Sequence, residues 1–481
     1  MQVEHHDVII VGAGLSGVDM AYRLQTERPN DSYVVLEARG GIGGTWDLFR
    51  YPGVRSDSDM YTLGFPFRPW RSAQAIVAGE DIRNYIGDTA REYGIDRHIR
   101  FHHRVLGANW SSTDAGWTIE VETPDGRTHL TCRFLYMSSG YYDYDAGYTP
   151  DLDGMADYAG RLVHPQHWPE DLDVTGKRVV VIGSGATAVT LIPALARTAA
   201  HVTMLQRSPT YIVARPAEDG FARRARRWLP ARAADGAIRW KSILLGMAVF
   251  AYSRRRPDGM KQLIMKGVRA QLPENYEIER DFEPSYKPWD QRICLVPDAD
   301  LFTAIKTGKA DVVTDRIDRF TSTGIALQSG RSLNADIVVT ATGLVVKLFG
   351  GVTIRIDDVP VNTADRVIYK GQMLNGVPNF AFAFGYTNAS WTLKCDLTAL
   401  WVCRMLNYLD RHGHRACAPE LRDPAVVPEP MLTFTSGYIE RASAIMPKQG
   451  SAAPWRVHRN YVADLSVMRL GRIDDGVLEF S

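Results

Sequence analysis

The chain has 481 residues, a formal net charge of +1, and 45% hydrophobic and 23% charged residues. That length holds two or three domains with ample core, and the near-zero charge gives a nucleic-acid partner no overall electrostatic support. Five cysteines, at 132, 294, 395, 403 and 417, form no C-x-x-C pair. They argue against a disulfide framework, a zinc site and a dithiol redox pair, and no metal site is expected.

The opening MQVEHHDVIIVGAG places His and Asp directly before its apolar run and lacks a basic leader, so it does not read as a signal peptide. Asp7 to Val11 reads as a buried strand. Gly12-Ala-Gly14-Leu-Ser16-Gly17 follows, then a helical run, VDMAYRLQ, and a second strand, SYVVLEA, ending at Glu37. This is a dinucleotide fingerprint. The first Gly permits the tight turn, the second lets the backbone approach a pyrophosphate, and the third lets helix pack on strand. Glu37 stands twenty residues after Gly17, where an acid accepts hydrogen bonds from ribose hydroxyls. It repels a 2′-phosphate, so the site suits FAD or NAD.

The next segment, Gly43-Gly44-Thr45-Trp46-Asp47 through Pro52-Gly53 to Arg55-Ser56-Asp57, is rich in glycine and carries a flat indole. It favours contact with a ring system over a plain surface loop, with Asp57 and Asp59 as carboxylates near that ring. Glu80 to Tyr93 looks helical. Pro124-Asp125-Gly126 between two alternating runs reads as a hairpin, and FLYMSSG as a strand ending at Gly140. Gly147 to Gly160 reads as a linker between domains.

KRVVVIG then leads into a second fingerprint, Gly183-Ser184-Gly185-Ala186-Thr187-Ala188, followed by the helical run VTLIPALA and the strand HVTMLQ. Arg207-Ser208 comes nineteen residues beyond Ala188, about where an NAD site carries its acid. A guanidinium there pairs with a 2′-phosphate, so the second site reads as NADP; a solvated surface arginine is the other reading. Two such sites in one chain point to transfer between two bound cofactors.

Arg215 to Ala270 holds fourteen Lys and Arg against four Asp and Glu, around the apolar WKSILLGMAVFAY. It reads as a helical insertion. Such a basic amphipathic segment either touches an anionic membrane surface or, more often, presents a solvated face above a core-facing stripe. Its longest membrane-like stretch, Ile243 to Tyr252, is about half of what a spanning helix needs. No transmembrane segment is expected, and the setting reads as cytoplasmic, with membrane association through 215–270 as the second reading. Downstream, Pro288-Trp289-Asp290-Gln291-Arg292 puts a lone arginine in an aromatic loop. DIVVTATGL closes another strand, PNFAFAFGYTNAS reads as a strand and a cofactor-contacting loop, and a helix is expected from Leu397 to His412.

Together these residues resemble the type I Baeyer–Villiger monooxygenases, among the class B flavoprotein monooxygenases. The likeness spans nearly the whole chain and includes GGTWDLFRYPGVRSDSDMYTLGF, HPQHWPEDLD, VVVIGSGATAVTL, PWDQRICLVP and GYTNASWTLK. The family pattern F-x-G-x-x-x-H-x-x-x-W-P or -D fits Tyr158 to Pro169 with Tyr in first place. A second pattern, [AG]-G-x-W, four residues, [FY]-P-[GM], three residues, D, fits Gly43 to Asp57 throughout. Two positions depart from the family pattern: Gln291 stands where many relatives have Lys, and Leu344 where some have Tyr.

The resemblance implies FAD on the first fingerprint, with contacts from Gly44, Thr45, Trp46, Asp47, Arg55, Ser56, Asp57 and Val105. It implies NADPH on the second, Arg292 as the catalytic arginine with Asp57 as its partner, and His164 and Trp168 at an interdomain hinge. The implied reaction inserts one atom of O₂ beside a ketone carbonyl to give an ester or lactone, with sulfoxidation of thioethers beside it. A flavin-dependent N- or S-oxygenase without carbonyl chemistry shares the fingerprints but has no need of Arg292. A non-enzymatic NADP(H) sensor would bind NADPH without bleaching a flavin. The expected architecture is α/β, two Rossmann-like dinucleotide-binding domains with a helical insertion. The FAD domain is expected over 1–145 and 340–481, the NADP domain over 146–214 and 290–339, and the insertion over 215–289.

Overall fold

A computed structural model describes residues 3–291, 293–432 and 437–481. Strand β1 (Glu4–Val11) opens the first unit, and its Val8, Ile9, Ile10 and Val11 are all buried. A β-branched run packed on both faces belongs at the centre of a parallel sheet. Helix α1 (Leu15–Glu27) returns the chain to β2 (Tyr33–Leu36), parallel to β1 with Val35 beside Ile10. Beyond α2 (Gly79–Glu92), β3 (Ile99–Arg100) adds the edge beside β2. Strands β4 (Arg104–Ser111), β5 (Gly116–Thr123) and β6 (Gly126–Met137) then form an antiparallel meander. The expected hairpin lies between β5 and β6, closing at Gly126 with φ +116°, a value that glycine adopts without strain. The second half of β6 runs parallel to β1 on one side and to the late strand Phe380–Phe382 on the other. It ends at Met137, short of the expected Gly140, and the Ser138 amide makes a last ladder bond to the Val11 carbonyl, 2.9 Å away.

The chain leaves this unit through β7 (Tyr142–Gly147). A second parallel sheet then forms from β8 (Arg161–Val163), β9 (Arg178–Ile182), β10 (His201–Gln206), β11 (Ala310–Thr314) and β12 (Ile337–Thr340), in the order β11-β10-β9-β12-β8. Helix α3 (Ala186–Leu195) crosses from β9 to β10. Between β10 and β11 lie α4 (Gly220–Trp228), α5 (Ala231–Arg255) and α6 (Pro257–Arg269), the helices expected there. In the segment read as a linker, 147–160, Tyr158 packs on the second unit: its hydroxyl donates to the Ala335 carbonyl at 3.0 Å, and its ring belongs to the core over the second sheet.

The return crossing, β13 (Leu344–Val346), pairs antiparallel with β7, Leu344 opposite Gly147. The two crossings thus form one ribbon. His164 lies against it: its Nε2 is 3.2 Å from the Gly343 carbonyl, and its Nδ1 accepts the Gln166 amide at 3.2 Å. Gln166 in turn donates to the Asp143 carbonyl at 2.8 Å. A Cβ on Gly147 would overlap the His164 ring. Helix α7 (Trp391–His412) starts six residues before the expected Leu397, since Trp391 docks its indole N–H on the Ser16 hydroxyl, 3.0 Å away, and fixes the first turn through tertiary contact.

The His164 ring cannot swing clear of a new methyl without giving up both hydrogen bonds. Gly147→Ala is therefore expected to destabilise the protein by about 1–3 kcal/mol, read as a lower thermal midpoint. Adding His164→Ala should recover part of the loss. A Gly147→Ala protein that melts with the wild type contradicts the contact.

Candidate active site

The glycine turn after β1 has the geometry its sequence demands. Gly12 sits at φ +104°, and a Cβ there would lie 2.7 Å from the Ser138 carbonyl. A Cβ on Gly17 would overlap the Gly12 carbonyl, so this glycine seats the helix on the turn. Gly14 meets the second loop: a Cβ on Gly44 would come 3.0 Å from the Gly14 Cα, which leaves two bare backbones facing each other. Glu37 is buried and accepts the Ala13 and Arg39 amides, each at 2.8 Å. Burial pushes its carboxyl above the usual range, and those two amides partly offset it.

Around this turn opens a cleft of about 340 Å³. Of the residues expected to contact a cofactor here, Gly12, Gly14, Ser16, Glu37, Gly44, Thr45, Trp46, Ser56, Asp57 and Val105 line it. Three do not. Gly17 lies under the turn, Asp47 is spent on ion pairs with Arg39 at 2.9 Å and Arg50 at 2.6 Å, and Arg55 pairs with Asp300. Arg292 lies outside the described residues. Asp59, read as a second carboxylate near the ring, instead caps the helical turn Met60–Leu63, accepting the Thr62 amide at 3.1 Å.

Asp57 is held on a stiff turn. The Ser56 amide donates to the Val77 carbonyl at 3.2 Å, and its hydroxyl accepts the Ser58 amide at 2.9 Å. The same loop reaches the second unit. Gly53, at φ +76°, packs so closely on α3 that a Cβ would stand 2.8 Å from the Ala194 Cβ and 2.9 Å from the Thr190 carbonyl. One segment therefore lines the cleft at Gly44, Trp46 and Asp57 and docks on the other nucleotide unit at Gly53.

The second turn repeats the first. Gly183 sits at φ +129°, donates its amide to the Leu205 carbonyl at 2.8 Å, and leaves no room for a Cβ against the Ala341 carbonyl. At Gly185 nothing lies within 4 Å of a Cβ, so the space over the start of α3 is open to a phosphate. Ser184 is anchored to Thr210 at 2.8 Å and to the Ser208 carbonyl at 3.2 Å. Arg207 and Ser208 stand exposed just after β10, and Thr187 and Ala188 lie in the first turn of α3. None of these residues lines the cleft, so the two turns are separate sites joined by the loop.

Arg39, His103 and Lys347 line the cleft without a local signature, whereas Tyr386 lies in the loop read as cofactor-contacting and Trp391 follows it directly. Lys347 joins Asp143 and Asp145, each at 3.2 Å, across the interdomain ribbon. The Tyr386 hydroxyl donates to Asp464 at 2.6 Å, and Lys394 lies 3.0 Å from the same carboxylate. Burial holds the Lys394 ammonium below its usual range, against the pull of Asp464. Burial likewise lowers His164 at the ribbon. No cysteine lines the cleft among the described residues, and no group of His, Cys, Asp or Glu there could hold a metal ion.

A family model described as flavin-binding monooxygenase-like matches residues 5–350. The chain is 54% identical over 479 residues to FAD-containing monooxygenase EthA of Mycobacterium tuberculosis (strain ATCC 25618 / H37Rv), covering 99% of this chain and 98% of that one. It is 45% identical over 480 residues to the probable FAD-binding monooxygenase AlmA of Acinetobacter baylyi, covering 99% and 96%. Among solved structures, an oxidised steroid monooxygenase bound to NADP superposes with a TM-score of 0.76 at 22% identity, covering 99% of both chains. An open crystal structure of cyclohexanone monooxygenase gives 0.74 at 21% identity, covering 100% of both. These two establish the likeness of fold.

Proposed function

The chain belongs to the flavin-binding monooxygenase-like family, and from that premise we propose that it is a Baeyer–Villiger oxygenase. It inserts one atom of O₂ beside a ketone carbonyl to give an ester or lactone, and it oxidises thioethers to sulfoxides as a second activity. It is a flavoprotein monooxygenase with FAD and NADP(H) as its cofactors. The observation that carries the finer reading is the loop Gly43–Asp57, which fits one family pattern throughout and touches both nucleotide units.

The residues fit both cofactors. Gly12 and Gly14 offer bare backbone for a pyrophosphate, Glu37 is placed for ribose hydroxyls, and Gly44, Thr45 and Trp46 wall the cleft that takes FAD. Gly183, Gly185 and the start of α3 take the NADP pyrophosphate, with Arg207 and Ser208 on the 2′-phosphate. Bound FAD, reduced by NADPH, supplies the activated oxygen.

The chain's own part is to hold charge and exclude water. Asp57 lines the cleft from a turn hydrogen-bonded at Ser56, and its role is to hold the catalytic arginine, Arg292. An arginine stays cationic when desolvated, so it can stabilise negative charge that develops on the ketone oxygen. Trp46 and Trp391 add apolar wall around that charge, which strengthens its interaction with a fixed cation.

Two variants test this. Arg207→Ala is expected to erase most of an NADPH over NADH preference of about ten- to a hundredfold while leaving NADH use nearly unchanged, since a charge-assisted hydrogen bond contributes about 1.5–3 kcal/mol. Equal loss with both nucleotides would make Arg207 structural. Arg292→Ala is expected to lower ester formation about a hundred- to a thousandfold, with folding and FAD content retained and NADPH oxidation diverted to hydrogen peroxide. Arg292→Lys should rescue only in part, because an ammonium lacks the planar fork. An undiminished ester yield from Arg292→Ala overturns the assignment and favours an N- or S-oxygenase.

A further inference from the structure

The helical insertion is not what its charge pattern suggests. A solvated face over a core-facing stripe would put charges outward along α5, yet from 242 to 253 the helix carries no charged residue. Its buried side packs Ile243 and Met247 against Tyr386 and Ala389, which themselves line the cleft. Its outer side is apolar as well. Leu244 is 53% exposed, and Trp240, Leu245, Val249 and Tyr252 are exposed with it. Leu245, Val249 and Tyr252 are spaced at helical intervals, so they form one stripe. Lys241 heads that stripe four residues before Leu245, and its ammonium sits 5.4 Å from the ring of exposed Phe221 on α4. The patch therefore continues onto α4, where Trp228 is 76% exposed.

Charge frames this patch on both sides. Arg223, Arg224 and Arg227 on α4 and Arg254, Arg255 and Arg256 beyond the stripe are exposed. The segment 215–270 has fourteen Lys and Arg against four acids, while the whole chain carries only +1. Six of these basic residues flank the apolar face, of which Arg223 also pairs with Glu218 and Arg254 with Asp290. No described helix is long and apolar enough to cross a membrane.

We infer that α4 and the outer face of α5 are a seat for the surface of an anionic lipid bilayer. Leu244, Leu245, Val249 and the rings of Trp228 and Trp240 enter the boundary between headgroups and acyl chains, and the flanking arginines meet lipid phosphates. This occupant fits where a second copy of the chain does not, because a ring of like charge around an apolar centre repels its own copy but complements a negative sheet. The inner face of the same helix backs the cleft, so seating the protein sets that wall of the site toward lipid.

The test is co-sedimentation of the FAD-loaded protein with large vesicles of phosphatidylcholine, alone or with a third of phosphatidylglycerol. The wild type should pellet with the anionic vesicles, weakly with the neutral ones, and less at high salt. Leu244→Glu with Val249→Glu should lower the partition coefficient about tenfold or more, since each position loses an apolar side chain from the bilayer boundary. Both positions are solvent-exposed, so FAD content and NADPH oxidation in vesicle-free buffer should be unchanged. Failure of the wild type to pellet with anionic vesicles overturns the proposal, as does equal pelleting of the double variant. So does light scattering that finds a dimer which the double variant splits, since the face would then belong to a second copy.

Discussion

Everything in this molecule depends on how two nucleotide units are pinned to each other. The covalent connections between them, β7 and β13, pair into one ribbon, and the His164 ring is wedged between Gly147 and the Gly343 carbonyl. At a second point, Gly53 brings the first unit's loop into contact with α3 at Thr190 and Ala194. The bare backbone at both points permits approaches that any side chain would block. Neither contact involves a reacting group, yet together they set the distance and orientation between the two cofactor sites. A site whose chemistry passes between two bound molecules needs that geometry fixed before substrate arrives.

The electrostatics follow the same logic. Glu37 is kept in the first turn by two amides, and Asp57 is kept in the cleft by the hydrogen bonds of Ser56. Other carboxylates nearby are already spent: Asp47 on arginines, Asp59 on a helix start, Asp464 on Tyr386 and Lys394. Asp143 and Asp145, which also line the cleft, are each paired with Lys347.

Features that rest on local backbone chemistry were legible in the sequence. Both glycine turns, the Pro124-Asp125-Gly126 hairpin and the run of helices after residue 215 lie where their residues put them. What was not legible depends on who the neighbours are. Asp59 and Asp57 are two residues apart in one loop, and only the fold shows that one caps a helix while the other faces the cleft. The early start of α7 comes from Trp391 meeting Ser16, a contact across 375 positions. The outer face of α5 misleads for a related reason. Periodicity locates an apolar stripe but cannot say that both sides of a helix are apolar and only one has a partner. Lys347 gave no signal by itself, but the alternating acids of Tyr142-Asp143-Tyr144-Asp145 could have marked that strand as waiting for a cation.

The claim at the centre of this account is that the cleft beside Asp57 transfers oxygen to a carbonyl group. Its most direct test gives the wild-type enzyme NADPH, a simple cyclic ketone and ¹⁸O₂, and reads the product by mass spectrometry. The account predicts a lactone carrying one ¹⁸O atom in the ring, with NADPH consumed in equal amount. Oxidation of a thioether under the same conditions, with the ketone recovered unchanged and no labelled lactone, would contradict it.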